Sequence, residues 1–334
     1  DPWNLKALKR LPRKKAEDLQ APANARTIPR ASAPFYLSVE GYRGLPVVRY
    51  PIAMAPGTNG MQPDLKVEIG GELYPGEAVS GFRLTVPESI EACGGGYCLG
   101  DRPLVPVKGA AKDTLFTLQN DPRIQIHKSD AGFLLKDGNG LRQYYTAPSV
   151  ATLESGPWEI NAITDWFENF ILYRYDDDTG EVSRIIYGRD REEKKDLRIV
   201  YLSYEGGNLR RITSTVAGKT IRSYHLGADL SGRLNRITEC APGKADKPVC
   251  YAPFGLTWKT GEEGKYTLLS GVENGAGGET DILYAKAKGG PAVSSLVLKS
   301  RGHMVSANLY HFADPQMVGT VRRGFSLQRT APEG

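Results

Sequence analysis

Asn169-Phe170-Ile171-Leu172-Tyr173-Arg174-Tyr175-Asp176 is followed by a turn and then by Val182-Ser183-Arg184-Ile185-Ile186-Tyr187. The pattern returns twice. Arg198-Ile199-Val200-Tyr201-Leu202-Ser203-Tyr204-Glu205 precedes Gly206-Gly207 and Leu209-Arg210-Arg211-Ile212. Ile221-Arg222-Ser223-Tyr224-His225-Leu226 precedes Ser231-Gly232-Arg233-Leu234-Asn235-Arg236-Ile237. The repeated unit is a strand of β-branched and aromatic residues, a glycine turn, then Leu or Val, two polar residues and Ile. One such hairpin cannot bury its own apolar face. Successive hairpins are therefore expected to stack edge to edge into a continuous sheet.

Outward from this stretch the β pattern continues. Leu65, Val67 and Ile69 alternate with Lys66 and Glu68, as do Phe82, Leu84 and Val86 with Arg83 and Thr85. Ile124 and Ile126 alternate with Gln125 and His127. Pro56-Gly57-Thr58-Asn59-Gly60 and Lys136-Asp137-Gly138-Asn139-Gly140 are turn signals. The strands Val293 to Leu298, Val305 to Phe312 and Val318 to Leu327 are apolar enough to need neighbours. We expect an all-β fold, a large curved sheet of stacked hairpins.

Composition agrees. The chain has 334 residues, with 38 Gly, 22 Pro and 17 Tyr, as short strands and tight turns require. Apolar residues are 40% and charged residues 24%, the range of globular chains. The longest apolar runs are strand-sized, far short of the ~18 residues of a membrane-spanning helix. No signal peptide is visible before Asp1, although a trimmed secreted chain would begin in the same way.

Residues 1–34 stand apart. Lys6, Lys9, Arg10, Arg13, Lys14, Lys15, Arg26 and Arg30 face only Asp1, Glu17 and Asp18, which accounts for the whole net charge of +5. A nucleic-acid binder would carry its bases on a folded face, so nucleic acid is not the expected partner. Leu5, Leu8 and Leu11 are spaced by three ahead of Pro12, as in a short amphipathic helix. We read 1–34 as a basic arm, partly helical or disordered. Leu5, Leu8, Leu11, Lys14 and Lys15 are the residues placed to dock on a partner; a solvated tail is the plainer reading.

The four cysteines form two local pairs. Cys93 and Cys98 bracket Gly94-Gly95-Gly96-Tyr97, and Cys240 and Cys250 bracket a nine-residue loop. Disulfides Cys93–Cys98 and Cys240–Cys250 are the favoured reading and imply an oxidising compartment. A four-cysteine zinc site fits these spacings less well, and free thiols are the third alternative.

The ordered blocks resemble a known family. Gly44-Leu45-Pro46 to Pro51-Ile52 and Pro56 to Leu65 are similar to the opening of the SpvB-like module of toxin-complex B components and related secreted RHS proteins. Ser80-Gly81-Phe82-Arg83-Leu84 and Leu99-Gly100-Asp101-Arg102-Pro103-Leu104 follow in order. Trp158-Glu159-Ile160, Ile163-Thr164-Asp165 and Asn169 resemble the block that opens the family's YD repeats. Ile237-Thr238-Glu239-Cys240, Cys250, Phe254 and Trp258 resemble its closing block, and Arg323-Gly324-Phe325-Ser326 a later RHS strand. The resemblance covers roughly 35–330 and implies an RHS-type partial β-shell. It sets a module at 35–258, with YD-like hairpins near 165–240, and a Gly-rich linker with C-terminal strands at 259–334. The chain departs from the family after Trp258, where 259–278 replace the usual acidic calcium-loop repeats. No self-cleaving aspartyl-protease or ADP-ribosyltransferase block is apparent.

No strong catalytic set emerges. His127, His225, His303 and His311 are scattered, and Asp176-Asp177-Asp178-Thr179-Gly180 lacks the alternating ligands of a calcium loop. Gly94-Gly95-Gly96 is followed by no Lys-Ser/Thr, so it is no phosphate cradle. Tyr and Trp in stacked hairpins form cross-strand ladders more readily than binding surfaces. The expected function is a non-enzymatic, secreted or extracellular scaffold, periplasmic and cell-surface locations included, with no cofactor or metal. It would bind or enclose another polypeptide: a toxin payload, a further RHS-type chain or a second copy. The alternatives are a module binding carbohydrate or cell-surface glycan through exposed Tyr and Trp, and an enzyme with an unfamiliar site.

Overall fold

The hairpin Asp196–Glu205 to Asn208–Val216 shows how the repeat folds. Gly206 and Gly207 take φ of 56° and 79°, the left-handed pair that a two-residue hairpin turn needs. They set Glu205 opposite Asn208, and the register then runs through Leu202↔Ile212 and Val200↔Ser214 to Arg198↔Val216. Val200 and Ile212 are buried.

The computed structural model describes residues 26–28, 35–40, 44–73, 81–110, 114–147, 156–176, 179–189, 196–243, 247–261, 266–287, 290–311, 316–318, 321–323 and 326–330. Among these the fold is all-β, and the one helical element is a 3-10 turn at Thr58–Gly60. The docking residues Leu5, Leu8, Leu11, Lys14 and Lys15, and the expected helix around them, lie outside the described residues. Arg26–Ile28, expected within the arm, is a strand in parallel register with Val249–Tyr251.

The chain divides into two units. The first holds Met54–Pro63 and Val86–Ile221. Its strands follow one another in antiparallel pairs from Ile90–Cys93 through Gly96–Leu99, Arg102–Pro106, Leu115–Leu118, Asp121–Ser129, Gly132–Lys136 and Arg142–Thr146 to Glu159–Thr164. The first of these returns to the last, because Ile90 and Trp158 exchange backbone hydrogen bonds of 2.9 and 2.8 Å. Inside lie Tyr97, Phe116, Phe133 and Trp158. Phe133 meets Trp158 edge to face at 4.9 Å, and Tyr97 meets Phe133 at 5.1 Å and Trp158 at 5.6 Å. Each such pair adds about 1 kcal/mol beyond the area it buries. The hairpin array continues through Phe170–Tyr175, Val182–Arg189, Asp196–Glu205 and Asn208–Val216.

The second unit draws on Glu17–Ala53, Asp64–Thr85 and Arg222–Gly334. Tyr36–Val39, Pro46–Pro51, Lys66–Gly70 and Phe82–Leu84 form a four-stranded antiparallel sheet. Alternation aims Val48, Tyr50, Val67 and Ile69 inward, and all four are buried. The unit also holds a longer antiparallel array that includes Leu234–Ala241, Phe254–Thr260, Thr267–Glu273, Gly278–Ala287, Gly290–Ser300 and His303–His311. Tyr50 is 5.2 Å from the Phe254 ring and 6.3 Å from Tyr224. The segment expected to be a Gly-rich linker after 258 begins inside the strand Phe254–Thr260 and supplies two more strands.

Candidate functional site

Both cysteine pairs are bonded. Cys93 and Cys98 flank the turn at Gly94-Gly95, and Cys240 and Cys250 are directly opposed residues of adjacent strands. The glycine run is thus the turn of a cross-linked hairpin. Beside the second bond, Glu239 is only 3% exposed and lies 3.0 Å from Arg222 Nη1. The Arg222 guanidinium in turn stands over the Tyr251 ring at 5.9 Å. Removing Arg222 would take a charged partner from a buried carboxylate.

The tyrosines are strand clamps. Tyr175 donates to the Ile160 carbonyl at 2.7 Å, Tyr204 to Val182 at 2.9 Å and Tyr284 to Leu269 at 2.6 Å, each reaching a neighbouring strand. Burial pushes the phenols of Tyr145, Tyr173 and Tyr204 above their usual range, so they remain neutral donors. Tyr175 and Tyr204 stand near the strand ends quoted from the sequence, but the carbonyl each finds is not legible there.

The histidines do not converge. His225 is 4% exposed and has Nε2 3.2 Å from Ser223 Oγ. Burial, then Lys136, depresses the His127 pKa. His303 and His311 stand at opposite ends of one strand. Asp176 closes its own turn, accepting from the Thr179 amide at 3.0 Å. Among the described residues no group of three or more His, Cys, Asp or Glu is arranged to hold a metal. Half-buried Glu159 is pushed up by burial, then by Glu91 and Glu181.

One feature faces outward. In the turn 165–169, Trp166 is 68% exposed and Phe167 65%. Asp165 Oδ1 accepts from the Phe167 and Asn169 amides at 2.9 Å each, and Oδ2 accepts from Asn169 Nδ2 at 2.8 Å. Asn59 Nδ2 adds a 3.3 Å contact. The Trp166 ring rests against Gly140, where a Cβ would lie 1.6 Å from the indole Nε1. The Arg142 guanidinium lies over the ring at 5.2 Å.

No family model and no curated protein matches the chain. Solved structures do. The crystal structure of TcdB2-TccC3 is similar over 93% of this chain and 21% of that chain, with a TM-score of 0.55 and 11% identity. The Photorhabdus luminescens Tc holotoxin pore is similar over 93% of this chain and 20% of that one, with a TM-score of 0.50 and 10% identity. The N-terminal domain of the effector SpvB from Salmonella typhimurium aligns with 74% of this chain and 98% of that one, at 11% identity and a TM-score of 0.24. The chain therefore has an RHS and toxin-complex type of fold, and it spans about a fifth of the length of the toxin-complex chains it matches. Among the described residues no helix is long and apolar enough to cross a membrane.

Proposed function

We propose that this chain is a non-enzymatic structural piece of a secreted RHS-type β-shell that binds or encloses another polypeptide. The observation that carries the reading is the hairpin array itself, matched over 93% of the chain by the TcdB2-TccC3 structure. Supporting it, the polar groups described above are spent on clamps, turns and ion pairs that hold strands together. The YD-like repeats, secretion and a part in virulence belong to the same proposal, as does a partner in the form of a toxin payload, a further RHS-type chain or a second copy.

The test is native co-purification followed by limited proteolysis. We expect a polypeptide to be recovered with the chain and to be cleaved more slowly in the complex than alone. A strict monomer at high concentration, with no polypeptide recovered from the native source, would defeat the proposal.

A further inference from the structure

The turn 165–169 holds its shape without its two aromatic residues. Asp165 and Asn169 close it through three hydrogen bonds, and Asn59 braces it from another segment. Polar residues at 166 and 167 would serve the hairpin as well and avoid exposing apolar surface. Adjacent large aromatics, each about two-thirds exposed, mark a surface that meets something else.

Their setting says what. Trp166 is not a loose side chain: its five-membered ring lies on the bare backbone of Gly140, and Arg142 packs over the same indole. The indole is seated before any ligand arrives, so little rotamer freedom is lost on binding. Two planar polar groups stand at the same turn, the Arg142 guanidinium over the ring and the exposed amide of Asn59, which reaches Asp165. We propose that Trp166 and Phe167 form a carbohydrate-binding platform. The C–H face of a pyranose ring stacks on the exposed indole, Phe167 extends the apolar floor, and the rim groups bond the sugar's hydroxyls. A sugar suits this rim better than an apolar protein groove, which would bury the Arg142 guanidinium against the ring with no acceptor for its N–H groups.

The test uses the full-length chain on an immobilised array of mammalian, insect and bacterial glycans. Trp166→Ala, Phe167→Ala and Tyr36→Ala serve as variants, the last removing an exposed aromatic elsewhere. Their circular dichroism should match the parent. We expect at least one glycan class to be retained and its affinity to fall about tenfold or more in Trp166→Ala. The fall should be smaller in Phe167→Ala, with no change in Tyr36→Ala. Free sugar of the retained class should shift the indole N–H resonance assigned to Trp166. Retention of no glycan, or equal retention by Trp166→Ala, would overturn the proposal. So would Trp166-dependent binding to phosphatidylcholine vesicles or to a protein in place of glycans. Failure to retain a glycan leaves the scaffold reading untouched, because that reading is tested by co-purification, and a protein bound through Trp166 would count for the scaffold reading and against the glycan proposal.

Discussion

Glu159 and Glu68 are half-buried strand carboxylates with opposite consequences for stability. At Glu159, burial and the nearby Glu91 and Glu181 raise the pKa above its unfolded value. Its ionised form is therefore disfavoured in the fold, and the penalty disappears as pH falls and the group protonates. Glu159→Gln should stabilise the chain at pH 7 by about 0.5 kcal/mol after solvent screening, and the gain should shrink toward pH 4. At Glu68, burial opposes ionisation, but hydrogen bonds and charge from Arg83 and Arg49 outweigh it and hold the pKa down. That carboxylate stabilises the fold above the unfolded pKa, and the benefit is lost as pH falls through its lower folded value. Glu68→Gln should destabilise at pH 7 and approach the parent in acid. Urea midpoints at both pH values read the two signs. In the interior, Trp158→Ala should cost about 3 to 5 kcal/mol, because the ring fills the aromatic cluster and cannot be replaced by collapse.

Between strands, the clamps and the disulfides make separable contributions. Tyr204→Phe keeps the ring and leaves the Val182 carbonyl without its donor, so a loss of about 1 kcal/mol is expected in urea unfolding. Paired Cys→Ser changes should cost about 3 kcal/mol at Cys240–Cys250 and about 2 at the shorter Cys93–Cys98 loop, the order set by loop length. An equal cost, or the reverse order, would show that the unfolded chain does not govern the effect. These elements were unequally legible. Asp196–Glu205 and Asn208–Val216 could be read directly, because both alternation and the Gly206-Gly207 turn are local. The union of Tyr97, Phe116, Phe133 and Trp158 could not, since three of the residues come from separate strands and the fourth from a bridge just before another, and periodicity carries no information on which hairpins face each other. Residues 259–278 read as a linker because their glycines interrupt the alternation, although Gly271 and Gly278 both lie in paired strands. Composition groups Trp166 with the ladder aromatics, because residue type alone does not separate a residue at a hairpin tip from one within a strand. Arg26–Ile28 was too short to register beside Pro29, and its partner lies far along the chain.

For the molecule as a whole, the described residues predict a circular dichroism spectrum with helix far below the globular average of about a third. The arm can be dissected. Deleting 1–25 should leave the melting behaviour intact and weaken any association of the chain, more so at low salt, where charge attraction is least screened. Extending the deletion to 34 also removes Arg26–Ile28 from its place beside Val249–Tyr251, and should lower the melting temperature by about 2 to 4 °C.

Segments of the second unit lie on both sides of Val86–Ile221 in the sequence, and this bears on synthesis. The four-stranded sheet ending at Leu84 emerges from the ribosome early, whereas Phe254, on which Tyr50 packs, emerges much later. At 5–20 residues per second the wait is on the order of ten to thirty seconds. Throughout it, Tyr50 lacks Phe254 and Tyr224 while residues 86–221 are free to fold. Nascent chains stalled near residue 221 should therefore be cut by protease within 44–73 and protected within 115–146. Chains stalled beyond residue 300 should be protected in both. A holdase that binds apolar β-strands would find its site in the first segment and lose it when the second unit closes.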